Sequence, residues 1–362
     1  MVRLSQLFSQ DCTAERYLSS QFCINTLADS ETNKARQNHV IVNGEGSDLS
    51  KTDALQGRAK RKTITQSMML KLIDLAKDNE TPELEKAFWN TYHCQQKIIT
   101  ADGRLYGKYC KNRFCTLCCS IRKAEIINRY YPIIKQWEEP HFVTITIKAV
   151  KEDKLKSRIE GLLRGFKRIN ARHRKRHQRG TGAKLVGVKS LECNFNPKKK
   201  TYNPHLHIIT ANKEMAEVIV SDWLKLCTPE FALRQGQDIQ KVNDIEKSLI
   251  EIIKYGSKIF TEPDLKKRAK ETSTAQIYIN ALNTILVTMK GKRIFDRFGF
   301  NAPKKTGYKN TSAKLLSVFN EWQFNAKSND WENIVTGELL SGYKLPSNLQ
   351  ALLENNINLD LK

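Results

Sequence analysis

Residues 183 to 210 constrain this chain more than any other stretch. "AKLVGVKSLECNF" and "TYNPHLHIIT" are both β-prone, and the "NPKKKT" between them (Asn196 to Thr201) is rich in turn formers and charge. The spacing predicts a hairpin. Folded symmetrically, it sets Phe195 against Tyr202 and Glu192 directly across from His205; a slip of two would bring Glu192 opposite Asn203 or His207, on the same face. Alternation along the second strand sends His205, His207 and Ile209 to one face and Leu206 and Ile208 to the other. Two imidazoles and a carboxylate therefore converge. Two nitrogens and one hard oxygen on a rigid sheet can hold a divalent metal such as Mg or Mn with coordination positions left open. The alternatives are a half-buried strand with its histidines bonded to neighbours, and a Glu192 paired across strands with a lysine.

The flanking pattern supplies the fold around the hairpin. "HFVTITIKAV" from His141 alternates as a strand, Lys151–His173 is helical, Lys213–Leu226 is a helix, Gln237–Val242 a short strand and Asp244–Ile259 another helix. The order β-α-β-β-α-β is that of a ferredoxin-like split βαβ unit, an α+β fold with an antiparallel sheet. The organisation expected is a loosely ordered leader at 1–62, a helical segment with a cysteine cluster at 63–137 and a core at 138–262. A mainly helical extension at 263–325 and a polar tail at 326–362 complete it. Two helices broken near Thr81–Pro82 fill Thr63–Tyr92, and "KGKRIFDRFGF" at Lys290–Phe300 reads as a glycine-bounded basic turn.

Charge narrows the partner. Lys and Arg number 61 against 38 acidic residues, a formal +23, which points to a polyanion, with nucleic acid ahead of a membrane surface. No run approaches the roughly 18 apolar residues of a spanning helix and the N-terminal region lacks a signal-like apolar core, so a cytoplasmic protein is expected. From Lys151 to Gly180 twelve Lys/Arg stand against three acidic residues without alternation of sign, and the densest run, Arg168 to Gly180, has no interleaved aromatics, a pattern suited to phosphate contact. No Walker-type phosphate loop is present, so the chain carries no motor of its own.

In a reducing compartment nine cysteines argue against a disulfide framework, and five of them cluster in "HCQQKIITADGRLYGKYCKNRFCTLCC". Cys94, Cys110, Cys115 and Cys118 suffice for a closed tetrahedral zinc site in a ribbon-like segment, with Cys119 adjacent; buried free thiols are the alternative. A last constellation is "LIEIIKYGSKIF". On a helix Glu251 and Tyr255 share a face and Lys258 follows three residues on. Tyrosine can attack phosphorus, a carboxylate can act as base and a lysine can hold a phosphate, although a tyrosine with a glutamate one turn away also occurs by chance.

"FVTITI" at Phe142–Ile147, "PHLHII" at Pro204–Ile209 and "EIIKYGSK" at Glu251–Lys258, in that order, resemble the rolling-circle replication initiators of small bacterial plasmids, within the HUH endonuclease superfamily. The resemblance covers about Cys94 to Gly299. It implies a ferredoxin-like nuclease core, a divalent metal on His205 and His207, and Tyr255 as the nucleophile that nicks one DNA strand through a 5′-phosphotyrosine, leaving a 3′-OH primer. Glu251 matches the carboxylate several members place one turn before the tyrosine, and Glu192 a third ligand of related viral initiators, here with a longer intervening loop. Plasmid origin DNA, duplex and single-stranded, and host helicase and replication proteins are the implied partners. Conjugative relaxases present three histidines and an N-terminal tyrosine, unlike this chain. A single-tyrosine transposase on the same core and a zinc-stabilised DNA- or RNA-binding regulator stay open beside the initiator.

Overall fold

A computed structural model describes residues 40–42, 46–113, 115–254, 279–301 and 314–354. In chain order the elements are β1 (Val40–Val42), β2 (Ser47–Asp48), α1 (Thr52–Asp78), α2 (Pro82–Tyr92), β3 (Lys97–Ala101), β4 (Arg104–Gly107), α3 (Thr116–Ile134), β5 (His141–Thr146) and α4 (Glu152–Gln178). They continue with β6 (Gly187–Asn196), β7 (Thr201–Thr210), α5 (Lys213–Leu226), β8 (Asp238–Lys241), α6 (Ile245–Lys254), α7 (Ile279–Met289), β9 (Phe295–Phe298), β10 (Lys314–Leu316), β11 (Asn320–Asn325), β12 (Asp330–Asn333) and α8 (Ser347–Glu354). The chain divides into two compact units, one from residues 1–66, 90–111 and 307–345, the other from 67–89, 112–306 and 346–362.

The second unit holds an antiparallel sheet in the order β8-β5-β7-β6-β9. Its first four strands follow the split βαβ topology, with β7 inserted between the parallel β5 and β6. In α4 the buried Leu155, Ile159, Leu162, Phe166 and Ile169 recur at three- and four-residue spacing, a single stripe that lies on the sheet. The same core takes Ala216, Ile219, Val220 and Trp223 from α5, against Val143, Ile145, Leu206 and Ile208 of the strands. Close helix packing has a local cause: a Cβ at Gly165 would stand 2.6 Å from the fully buried Trp223 ring. The opposite sheet face carries a second apolar cluster. There Val188, Ile209 and Phe142 pack with Leu249 and Ile252 of α6 and Tyr130 and Ile134 of α3.

The first unit carries the sheet β12-β11-β3-β4-β2 and the separate pair β1-β10. Trp322, Phe324, Trp331 and Tyr343 pack with Ala59, Ile98 and Leu105 in its core. The buried Asp330 organises the turn beyond β12, accepting from the backbone N–H groups of Trp331, Ser341 and Tyr343.

Three expectations need correction. The described residues of the 263–325 segment are not mainly helical: one helix, α7, is followed by β9, β10 and β11, and the supposed basic turn contains β9, which pairs along β6 from Phe298 opposite Gly187 to Phe295 opposite Ser190. The polar tail contributes β12, held by Trp331, whose side chain is fully buried. The stretch ascribed to a loose leader contains β1, β2 and the first turns of α1, because Ala59 and Lys62 are completely buried and fix the helix. Residues 1–39 lie outside the described part.

Candidate metal centre and active site

The hairpin forms in the symmetric register, with Glu192 opposite His205, Phe195 opposite Tyr202, and Ser190 opposite His207. Glu192 Oε2 lies 2.9 Å from Nε2 of His205 and 2.9 Å from Nε2 of His207. All three are nearly buried, at 3%, 5% and 9% exposure. The other ring nitrogens are also engaged: His205 Nδ1 is 2.9 Å from the Asn203 carbonyl oxygen and His207 Nδ1 is 3.1 Å from Thr144 Oγ1. Phe142 stacks at a tilt on His207, closing the apolar side.

A carbonyl oxygen can only accept, so Nδ1 of His205 carries the hydrogen and Nε2 of the neutral ring is a lone pair. That lone pair faces an anionic oxygen. The contact becomes favourable when a cation lies among the three atoms or when the ring is protonated. Burial by itself would push the Glu192 carboxyl up, but protonated His205 and His207 rings, donating to it and carrying charge beside it, outweigh burial and hold the group below its ordinary range. The three ligand atoms lie within 4.8 Å of one another, and outer partners on Nδ1 are how proteins orient metal-binding imidazoles. The fully buried Ser190 hydroxyl, beside His207 in the sheet, finds no hydrogen-bond partner among the described residues, leaving one polar atom on this face for a bound group to satisfy. The donor set fits a divalent cation.

Glu251 is half-buried on α6, whose Leu249 and Ile252 pack on Val188 and Ile209, the sheet face that also bears the two histidines. Tyr255 and Lys258 lie outside the described residues. Thr144, Thr146, Ser190 and Asn203 escaped the sequence reading, although alternation along "HFVTIT" and "KSLE" puts both threonines and the serine on the metal face; Thr146 Oγ1 donates to Asn203 Oδ1 at 2.9 Å.

Of the four cysteines expected to hold zinc, Cys94 and Cys110 lie in the first unit and Cys115 and Cys118 in the second. Backbone N–H groups donate to two of them, Cys110 to Cys94 Sγ at 3.4 Å and Cys118 to Cys115 Sγ at 3.5 Å. Cys119 stands apart, its thiol turned to the Arg113 carbonyl.

A family model described as "Replication protein" matches residues 104–216, the span that holds the hairpin and every expected metal ligand save Cys94. A Staphylococcus aureus protein named "Protein rep" is 31% identical over 181 residues, 45% of this chain and 73% of that protein. The chain belongs to the replication-protein family. A Bacillus relative of the same name is 24% identical over 217 residues, covering 52% of this chain and 66% of the relative. Another from Bacillus amyloliquefaciens is 26% identical over 125 residues, 32% of this chain and 35% of its own length. No solved structure matches significantly. No helix among the described residues is long and apolar enough to cross a membrane, and the family model ends before Glu251.

Proposed function

We propose that the chain starts plasmid replication in the cytoplasm as a site-specific endonuclease and strand transferase, nicking one strand of origin DNA. The observation that carries this reading is the convergence of Glu192, His205 and His207 on a split βαβ sheet in a replication protein. Mg or Mn held by these three residues would polarise the scissile phosphate. Tyr255 is the nucleophile: its oxygen bonds to phosphorus, the bond from phosphorus to the 3′-oxygen breaks, and the phenolic proton leaves to solvent. The protein keeps the 5′-phosphate as a phosphotyrosine and a 3′-OH remains as primer. Bond energy is conserved, so no nucleoside triphosphate is consumed.

Glu251, four residues before Tyr255 in the sequence, acts later, taking a proton from water or from a 3′-OH when the displaced strand is released. Lys258 holds a phosphate. Cys94, Cys110, Cys115 and Cys118 hold a structural zinc. The end of α4, where Lys167, Arg168, Arg172, Arg174, Lys175 and Arg176 are all exposed, contacts the DNA backbone. Incubation with DNA flanking its own gene, in Mg or Mn, should give a covalent protein–DNA adduct; binding of that DNA with no adduct under any divalent ion would instead favour a non-catalytic regulator.

A further inference from the structure

Beyond Glu192, His205 and His207 the β6–β7 hairpin runs on past the end of β5. Thr146, the last residue of β5, stands opposite His205, whereas β6 and β7 stay paired as far as Asn196 opposite Thr201. Alternation puts Asn194 with Asn203, and Asn196 with Thr201, on the face that bears the two histidines, in two further rows about 7 Å apart. All four side chains are polar, and Asn194 and Asn196 are exposed. The apolar packing of α3 and α6 lies toward the other end of the strands, on Phe142, Val188 and Ile209.

The reverse face of this overhang is tied into the core. Tyr202 is buried with its ring centroid 4.9 Å from that of Phe195, and its backbone exchanges hydrogen bonds of 2.9 and 2.7 Å with Val150. The overhang is held firmly while its polar face stays open. Asn203 Oδ1 accepts from Thr146 Oγ1, which leaves the Asn203 Nδ2 hydrogens without a partner among the described residues, one row from His205. The turn that closes the hairpin is pinned by the Lys199 N–H, which donates to Asn196 Oδ1 at 3.1 Å. It presents Lys198, Lys199 and Lys200, all exposed and none ion-paired among the described residues.

A solvated turn accounts for three lysines, but not for a bare row of amides leading from them to a group whose reactant is a polyanion. We propose that this strip is a track for single-stranded DNA, along which the strand lies on either side of the scissile phosphate. Lys198, Lys199 and Lys200 hold its phosphates, and the amides of Asn194, Asn196 and Asn203, each both donor and acceptor, bond to whatever base or sugar passes. Glu192, His205 and His207 are at most 9% exposed, so only a strand freed from its complement can lay a phosphate against them. The track rests on the DNA-nicking reading and adds to it where the substrate lies.

Fluorescence anisotropy of the full chain with a labelled oligothymidylate, without added Mg or Mn, reads the track across a salt series. Lys198→Gln combined with Lys199→Gln should lower the slope of log affinity against log salt by about 1.4, two contacts at about 0.7 each for single strands. Lys200 is kept, because its left-handed backbone, φ 48°, shapes the turn. The same loss of charge by Lys213→Gln with Lys225→Gln, exposed on α5 against the opposite sheet face, should leave the slope at the parent value. Asn194→Asp sets an anion midway along the strip and should weaken binding several-fold. An unaltered slope in the Lys198, Lys199 variant, an equal drop in the α5 pair, or parent affinity in Asn194→Asp overturns the proposal. Any of these in a protein that still forms a covalent adduct with DNA flanking its own gene overturns the track and leaves the nicking reading standing. Lysine-dependent binding with no adduct in Mg or Mn overturns the nicking reading alone.

Discussion

His205 donates through Nδ1 to the Asn203 carbonyl, and the chemistry of the centre depends on that bond because it turns the Nε2 lone pair toward Glu192. On the proposed mechanism, replacing either imidazole removes a metal ligand without touching a DNA contact. His205→Ala and His207→Ala should each abolish nicking while duplex binding changes little, and chelation should reproduce the loss in the parent, with Mg or Mn restoring it. Gel assays of nicked product beside binding isotherms check this, and loss of binding with normal cleavage would contradict it. Tyr255 and Glu251 should separate in behaviour. Tyr255→Phe keeps the ring and removes the attacking oxygen, so DNA should bind and no adduct form. Glu251→Ala keeps the nucleophile and removes the later base, so adduct should accumulate. A time course on a suicide oligonucleotide, resolved into nicked, covalent and released species, distinguishes the two; release at the parent rate in Glu251→Ala would show the base to lie elsewhere.

Among the elements, helices α4 and α5 meet where Gly165 admits the Trp223 ring. Gly165→Ala places a methyl 2.6 Å from a fully buried ring. Overpacking of this kind costs about 1–3 kcal/mol, and thermal melting of the purified protein should show the matching drop in Tm. An unchanged Tm would mean that the helices slide apart freely. The core elements were legible in the sequence because their signals are local: α4 repeats its apolar stripe over several turns, and β6 and β7 alternate on either side of a turn, which placed Glu192 across from His205 without any coordinates. The strands β9 to β12 were not legible for the converse reason. "FDRF" and "DWEN" are short and polar, and the partners that make them strands are remote; Trp322 on β11 donates to Thr100 on β3, 222 residues away in sequence. Propensity carries no information about such pairing.

For the whole molecule, an excess of 23 positive charges makes affinity for DNA a salt-dependent quantity. Arg168→Ala and Lys175→Ala, both exposed on α4, should each lower the slope of log affinity against log salt by about one and weaken specific and nonspecific DNA alike. Isotherms across a salt series read this, and an unaltered slope would remove α4 from the DNA surface. The cysteine group has a different signature: elemental analysis should find zinc in the parent and lose it in the Cys115→Ser, Cys118→Ser double variant, with a fall in thermal stability. A metal-free parent would leave four free thiols. The sheet β12-β11-β3-β4-β2 also bears on synthesis. On the ribosome, β3 and β4 emerge long before β11 and β12, and the strands β5 to β9 of the other sheet are all translated in the interval. Until β11 arrives, the edge of β3 from Lys97 to Thr100 has no partner, and an unpaired strand containing Ile98 and Ile99 invites pairing with another nascent chain. A message cut short after β9 would therefore yield a chain with the sheet β8-β5-β7-β6-β9 complete and a sticky edge that full-length protein never presents.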